Sequence, residues 1–100
     1  MTATAIHPGE HLAEELRELG MSAAELARRL DVPTNRITGI LNGRRSVTGD
    51  TALRLGHFFG MSPQFWLNLQ SLYELRIAHK KFGKAIDALP RLGRRDRASA

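Results

Sequence analysis

Residues 22–45 read SAAELARRLDVPTNRITGILNGRR, and their pattern decides the fold. Ser22 with Glu25 three positions on is a capping box, with Met21 and Leu26 placed to form the hydrophobic staple around it. Leu26, Ala27 and Leu30 then recur at helical spacing. Asp31-Val32 interrupts the run, and Pro33 suits the start of a second helix, where its missing N–H is not needed. Ile37, Ile40 and Leu41 give that helix its apolar side, and Gly43, just past Asn42, is a helix stop. Two short helices with so tight a turn between them predict a helix-turn-helix.

Plotted at about 100° per residue, the other side of the second helix carries Asn35, Arg36, Thr38, Gly39 and Asn42. A face meant only for water more often carries Glu and Lys. Asn can pair bidentately with adenine and Arg with guanine, so this face has the chemistry of major-groove readout. The competing assignment is an ordinary polar helix surface. Arg44, Arg45 and Ser46 follow in a loop suited to backbone phosphates, and Arg28 and Arg29 on the first helix could add to them. Such contacts set register without reading sequence.

Outward from this core, the chain has 100 residues, 42% of them hydrophobic, which fits one small domain. Several helical patterns and no strand-like alternation predict an all-α fold. There is no cysteine, so neither a disulfide nor a thiolate metal site is available. No apolar run reaches membrane-spanning length and residues 1–6 lack a signal pattern, so a cytoplasmic protein with no membrane partner is expected.

The net charge of +5 is unevenly spread. Residues 1–27 hold Glu10, Glu14, Glu15, Glu18 and Glu25 against Arg17 alone, whereas residues 28–54 hold six arginines against Asp31 and Asp50. Residues 76–97 are again strongly basic. Basic segments attract phosphates; an acidic first helix does not. Glu14, Glu15 and Glu18 therefore mark either a solvated face or a docking surface for a basic protein.

Residues 1–6 read as a flexible leader. His7-Pro8-Gly9-Glu10 opens the first helix, with Leu12, Leu16 and Leu19 as its inner stripe and Gly20 as its end. Thr48 caps a fourth helix ending at Gly60, and Ser62-Pro63 starts a fifth. Phe65, Trp66, Leu69, Leu72, Tyr73 and Ile77 form the inner stripe of the fifth helix, while Leu67, Leu75 and Ala78 make a second apolar strip that could meet a second copy or another partner. Helical spacing from Leu75 to Leu89 allows a continuation past Lys80 despite Gly83, with Pro90 as its stop. The basic end from Gly93 to Ala100 is expected to be disordered or loosely held on DNA. The resulting organisation is a leader (1–6), a helix-turn-helix domain (7–78) and a C-terminal extension (79–100).

His7 and His11 stand four apart with Glu10 between, but His7 precedes Pro8 and is biased out of the helical region, which spoils a metal pair. His57 and His79 are isolated. No nucleophile sits with a base, so neither a catalytic site nor a metal or other cofactor is expected.

The combination of HPGE, LNGRR and TALRLGHFFGMSPQFWLNLQSLYEL resembles the HigA family of antitoxins, within the phage-repressor-like (Xre) helix-turn-helix class; the resemblance covers roughly residues 6–78. It implies a five-helix DNA-binding domain acting as a homodimer. Such a protein would neutralise a HigB-like toxin, an mRNA-cleaving RNase of the RelE type, and repress the operon encoding both on an inverted-repeat operator. It further implies base-reading positions at Thr34, Asn35 and Arg36, with Thr38 beside them, and a phosphate-gripping end at Asn42, Arg44 and Arg45. Two residues depart from the family's pattern: Ala23 stands where a backbone-contacting glutamine is common, and Asp31 stands at the turn glycine. The rival function is a stand-alone repressor with no toxin partner.

Overall fold

The computed structural model describes residues 6–93, and among them it holds five helices and no strand. Residues 1–5 and 94–100 lie outside the described residues, and with them most of the expected leader and most of the basic end.

Helix α1 (Pro8–Leu19) starts at His7, whose extended backbone and ring nitrogen cap it, and ends at Gly20 in the left-handed conformation. Ser22 caps α2 (Ala23–Leu30), its hydroxyl accepting the Glu25 N–H at 3.1 Å. Only that half of the capping box is present, because the Glu25 carboxylate turns to Arg28 and Arg29 on its own helix. Asp31 then takes φ 58°, the left-handed turn for which glycine is the usual residue. Helix α3 (Thr34–Leu41) follows Pro33 at once. Its end is a Schellman turn: Gly43 has φ 79°, its N–H donates to the Ile40 carbonyl, and the Arg44 N–H donates to that of Gly39. Helices α4 (Gly49–Phe59) and α5 (Pro63–Asp87) complete the fold. Thr48 does occupy the cap position of α4, but its hydroxyl bonds to Thr51 rather than to the helix backbone.

One core serves the first four helices and the first half of α5. Leu12, Leu26, Ile37, Ile40, Leu55 and Trp66 are fully buried in it. The rim is aromatic: Trp66 meets His11, Phe59 and Phe65, mostly edge to face. The first turn of α1 lies against the backbone of α3, so close that a Cβ on Gly9 would sit 1.9 Å from the Ile40 carbonyl oxygen. That contact requires glycine.

Three leucine-type positions expected inside are not. Leu19 and Leu72 are each 53% exposed and Ile77 is 39% exposed. Leu19 lies in the last turn of α1, beyond its neighbours. Leu72 falls between the core-facing positions Trp66, Gln70 and Tyr73 and the outer side of α5. Ile77 comes a turn after Tyr73, where α5 has left the body. The helix crosses position 78 without a break and is about 37 Å long, in a molecule whose longest dimension is 56 Å.

Candidate nucleic-acid interface

The buried side of α3 is Ile37 and Ile40, both fully enclosed, with Leu41 partly so. Holding those residues inward turns Thr34, Asn35 and Thr38 outward, and all three are exposed. Asn42, Arg44, Arg45 and Ser46 follow directly and are exposed as well. An eight-residue helix is too short to be stable alone, so packing against α1 and α2 is what presents this surface.

Arg36 is not free in the same way. Its guanidinium Nη1 lies 2.6 Å from Asp50 Oδ2, and the same carboxylate accepts from Arg54 Nε at 3.1 Å. Arg54 reaches on to donate to the Leu30 carbonyl at 2.7 Å, at the end of α2. The Asp50–Arg54 pair on α4 thus ties the end of α2 to α3. Two guanidinium groups hold the Asp50 carboxyl below its ordinary pKa, the Arg54 hydrogen bond being the larger cause. This clasp escaped the sequence reading, although its i,i+4 spacing on α4 was visible.

The loop has its own order. Asn42 Oδ1 accepts the Arg44 N–H at 3.2 Å, so Asn42 shapes the loop as well as lining the surface. The aliphatic stem of Arg45 lies across α3 within 3.4 Å of where a Gly39 Cβ would be, covering the bare strip that a glycine leaves there. Arg28 sits apart on α2, paired with Glu25. On α1, Glu14 pairs with Arg17 at 3.2 Å and Glu15 lies 3.3 Å from His11, while Glu18 is exposed. His7 and His11 do not converge: the first faces Tyr73 and the second Phe65 and Trp66.

The second apolar strip divides. Leu67 packs partly against the core, whereas Leu75 and Ala78 are exposed on the outer half of α5. Leu75, Ala78, Phe82 and Ile86 fall within about 80° of one another around the helix, opposite Trp66, Gln70 and Tyr73. No helix of the described residues is long and apolar enough to cross a membrane.

Comparison with known proteins agrees with this architecture. A helix-turn-helix family model matches residues 12–66. Virulence-associated protein I of Dichelobacter nodosus is 49% identical over 77 residues, covering 76% of this chain and 71% of its own. An addiction module antidote protein of the HigA family from Coxiella burnetii superposes with a TM-score of 0.86 at 58% identity, over 88% of this chain and 98% of its own. The Pseudomonas aeruginosa antitoxin HigA, solved with the higBA promoter, gives a TM-score of 0.86 at 42% identity, over 90% of this chain and 100% of its own. With its five helices, its matched motif and these relatives, the chain belongs to the helix-turn-helix family and, within it, to the HigA antitoxins.

Proposed function

We propose that this chain is a cytoplasmic antitoxin that represses its own operon, two copies placing their α3 helices in successive major grooves about 34 Å apart on an inverted repeat. The observation that carries this reading is the outward display of Thr34, Asn35 and Thr38 beside the Arg44–Arg45 loop. The promoter complex of the P. aeruginosa relative supports it. Thr34, Asn35, Thr38 and Arg36 choose the sequence, Arg36 from its seat on Asp50. Asn42, Arg44, Arg45 and Ser46 hold phosphates, with Arg28 as an outlying contact. Asn35→Ala should relax base preference at one position per half-site, whereas Arg44→Ala should weaken every sequence alike. Binding to a panel of operator variants decides, and a uniform loss for Asn35→Ala refutes the assignment.

The second copy docks through the outer half of α5, where Leu75 and Ala78 are joined by Phe82 and Ile86, with Leu67 at the inner edge. Sedimentation of Leu75→Glu as a monomer is the expected result. The toxin partner is a HigB-like, RelE-type mRNase met by a folded surface, for which the acidic side of α1 at Glu14, Glu15 and Glu18 is the candidate. Charge reversal at all three that leaves toxin capture untouched removes α1 from the interface.

One observation favours the rival, a stand-alone repressor: Glu14 and Glu15 already have partners on their own helix. Co-purification with the product of the neighbouring reading frame separates the two.

A further inference from the structure

Two buried polar side chains outside the exposed surface reach the loop that carries Arg44 and Arg45. Gln70, on α5 and only 6% exposed, accepts the Val47 N–H through Oε1 at 2.8 Å. Its amide nitrogen donates to Ser46 Oγ at 3.2 Å and to Glu74 Oε2 at 2.8 Å. Flipped over, the amide would set N–H against N–H at Val47, so Glu74 and Val47 together fix which way it points. From the start of α1, buried His7 accepts the Gly9 N–H at its Nδ1, which leaves Nε2 as the ring's donor. That ring packs edge-on against Tyr73 with centroids 4.8 Å apart, and the Arg45 backbone beside it opposes the lowering of its pKa by burial. The loop is therefore held from α5 and flanked from α1, neither of which belongs to the helix-turn-helix.

We propose that Gln70 and His7 are positioning residues for DNA binding, clamping the backbone from Arg45 to Val47 so that Arg44, Arg45 and Ser46 meet phosphates already set. The role rests on the operator-binding function proposed above. A pre-ordered loop loses less freedom on binding, so its contacts yield more net affinity. The polar residue among the apolar positions of FWLNLQSLY is thereby explained: a leucine in its place would fill the space and leave the Val47 N–H buried without a partner.

The test is duplex binding across a salt series by wild type, Gln70→Met, Glu74→Ala and His7→Asn. Methionine keeps the length and apolar bulk of Gln70 but makes none of its three bonds. Asparagine can still cap α1 but is too short to span to Arg45. Gln70→Met should bind every duplex about tenfold more weakly, with a log–log salt slope shallower by about one phosphate contact and unchanged base preference. Glu74→Ala, at an exposed helical site, should show about a third of that loss on the logarithmic scale, and His7→Asn a loss between the two. Arg44→Ala should cost less in Gln70→Met than in wild type, because an unclamped loop has already forfeited that contact. A destabilising but merely structural Gln70 would lower the melting temperature and leave affinity, slope and coupling unchanged, which overturns the clamp. If Gln70→Met does not fold, wild-type affinity in both Glu74→Ala and His7→Asn overturns it equally. Wild type that binds no duplex at low salt instead overturns the operator reading.

Discussion

Helix α3 and the outer half of α5 are both amphipathic, but only α3 has its apolar side covered. In α3, Ile37 and Ile40 disappear into the core, and the polar side is consequently held at a defined orientation. In α5, Phe82 and Ile86 stand exposed past the point where α1 and α4 end as neighbours. Periodicity shows that a helix has two sides; it does not show whether the same chain supplies the cover. The short helix depends on its packing. The long one can propagate without it, because each added residue gains a hydrogen bond once the first turns exist.

Substitutions should separate the two regions by size of effect. Ile37→Ala empties a fully enclosed site and should cost about 2–5 kcal/mol in urea unfolding, with loss of DNA binding wherever the fold is lost. Gly9→Ala comes next: its Cβ would strike the Ile40 carbonyl, and forcing α1 off α3 should cost about 1–3 kcal/mol despite alanine's better helix propensity. A null effect there would mean that α1 does not seat on α3 as described.

A pH effect should also fall on the α3 side. Burial lowers the His7 pKa from its ordinary value, opposed by the Arg45 backbone and the Glu10 charge; Tyr73 is the titratable group facing it from α5. The unfolded chain therefore takes up the proton first as pH falls. The contribution of neutral His7 is complete above pH 6.5, the ordinary value, and is lost on descending through the lower folded value. Unfolding at pH 7.5 and pH 5 should show this loss in wild type and less of it in His7→Asn. The smallest effect belongs to the outer α5: Phe82→Ala should change the stability of one copy by no more than about 0.5 kcal/mol. Its consequence should appear in sedimentation, as weaker self-association.

Much of the fold was legible because its boundaries are local chemistry. Ser22, Pro33, Ser62 and Pro63 mark helix starts, and Gly20, Gly43 and Gly60 mark ends, since capping and left-handed turns depend on a few adjacent atoms. The left-handed Asp31 was legible only through the family resemblance, which sets it at the turn glycine. Leu19, Leu72 and Ile77 were misplaced for the opposite reason: a stripe records hydrophobic character, whereas burial also needs a neighbour at that height along the helix.

The candidate interface divides in the same manner. That Thr34, Asn35 and Thr38 face outward followed from Ile37 and Ile40 facing in. The Asp50 clasp on Arg36, the Arg45 stem across Gly39, and the hold of Gln70 on the loop beside His7 did not follow. By itself the sequence determined the five helices, the turn between α2 and α3 and the polar side of α3, all set within a few residues by hydrogen bonding and periodicity. Only the tertiary structure decided which arginine is tethered, which apolar side stays uncovered and how α5 grips the loop beside α1. Those contacts join residues 14 to 38 positions apart, and the distance between them exists only once the chain has closed on itself.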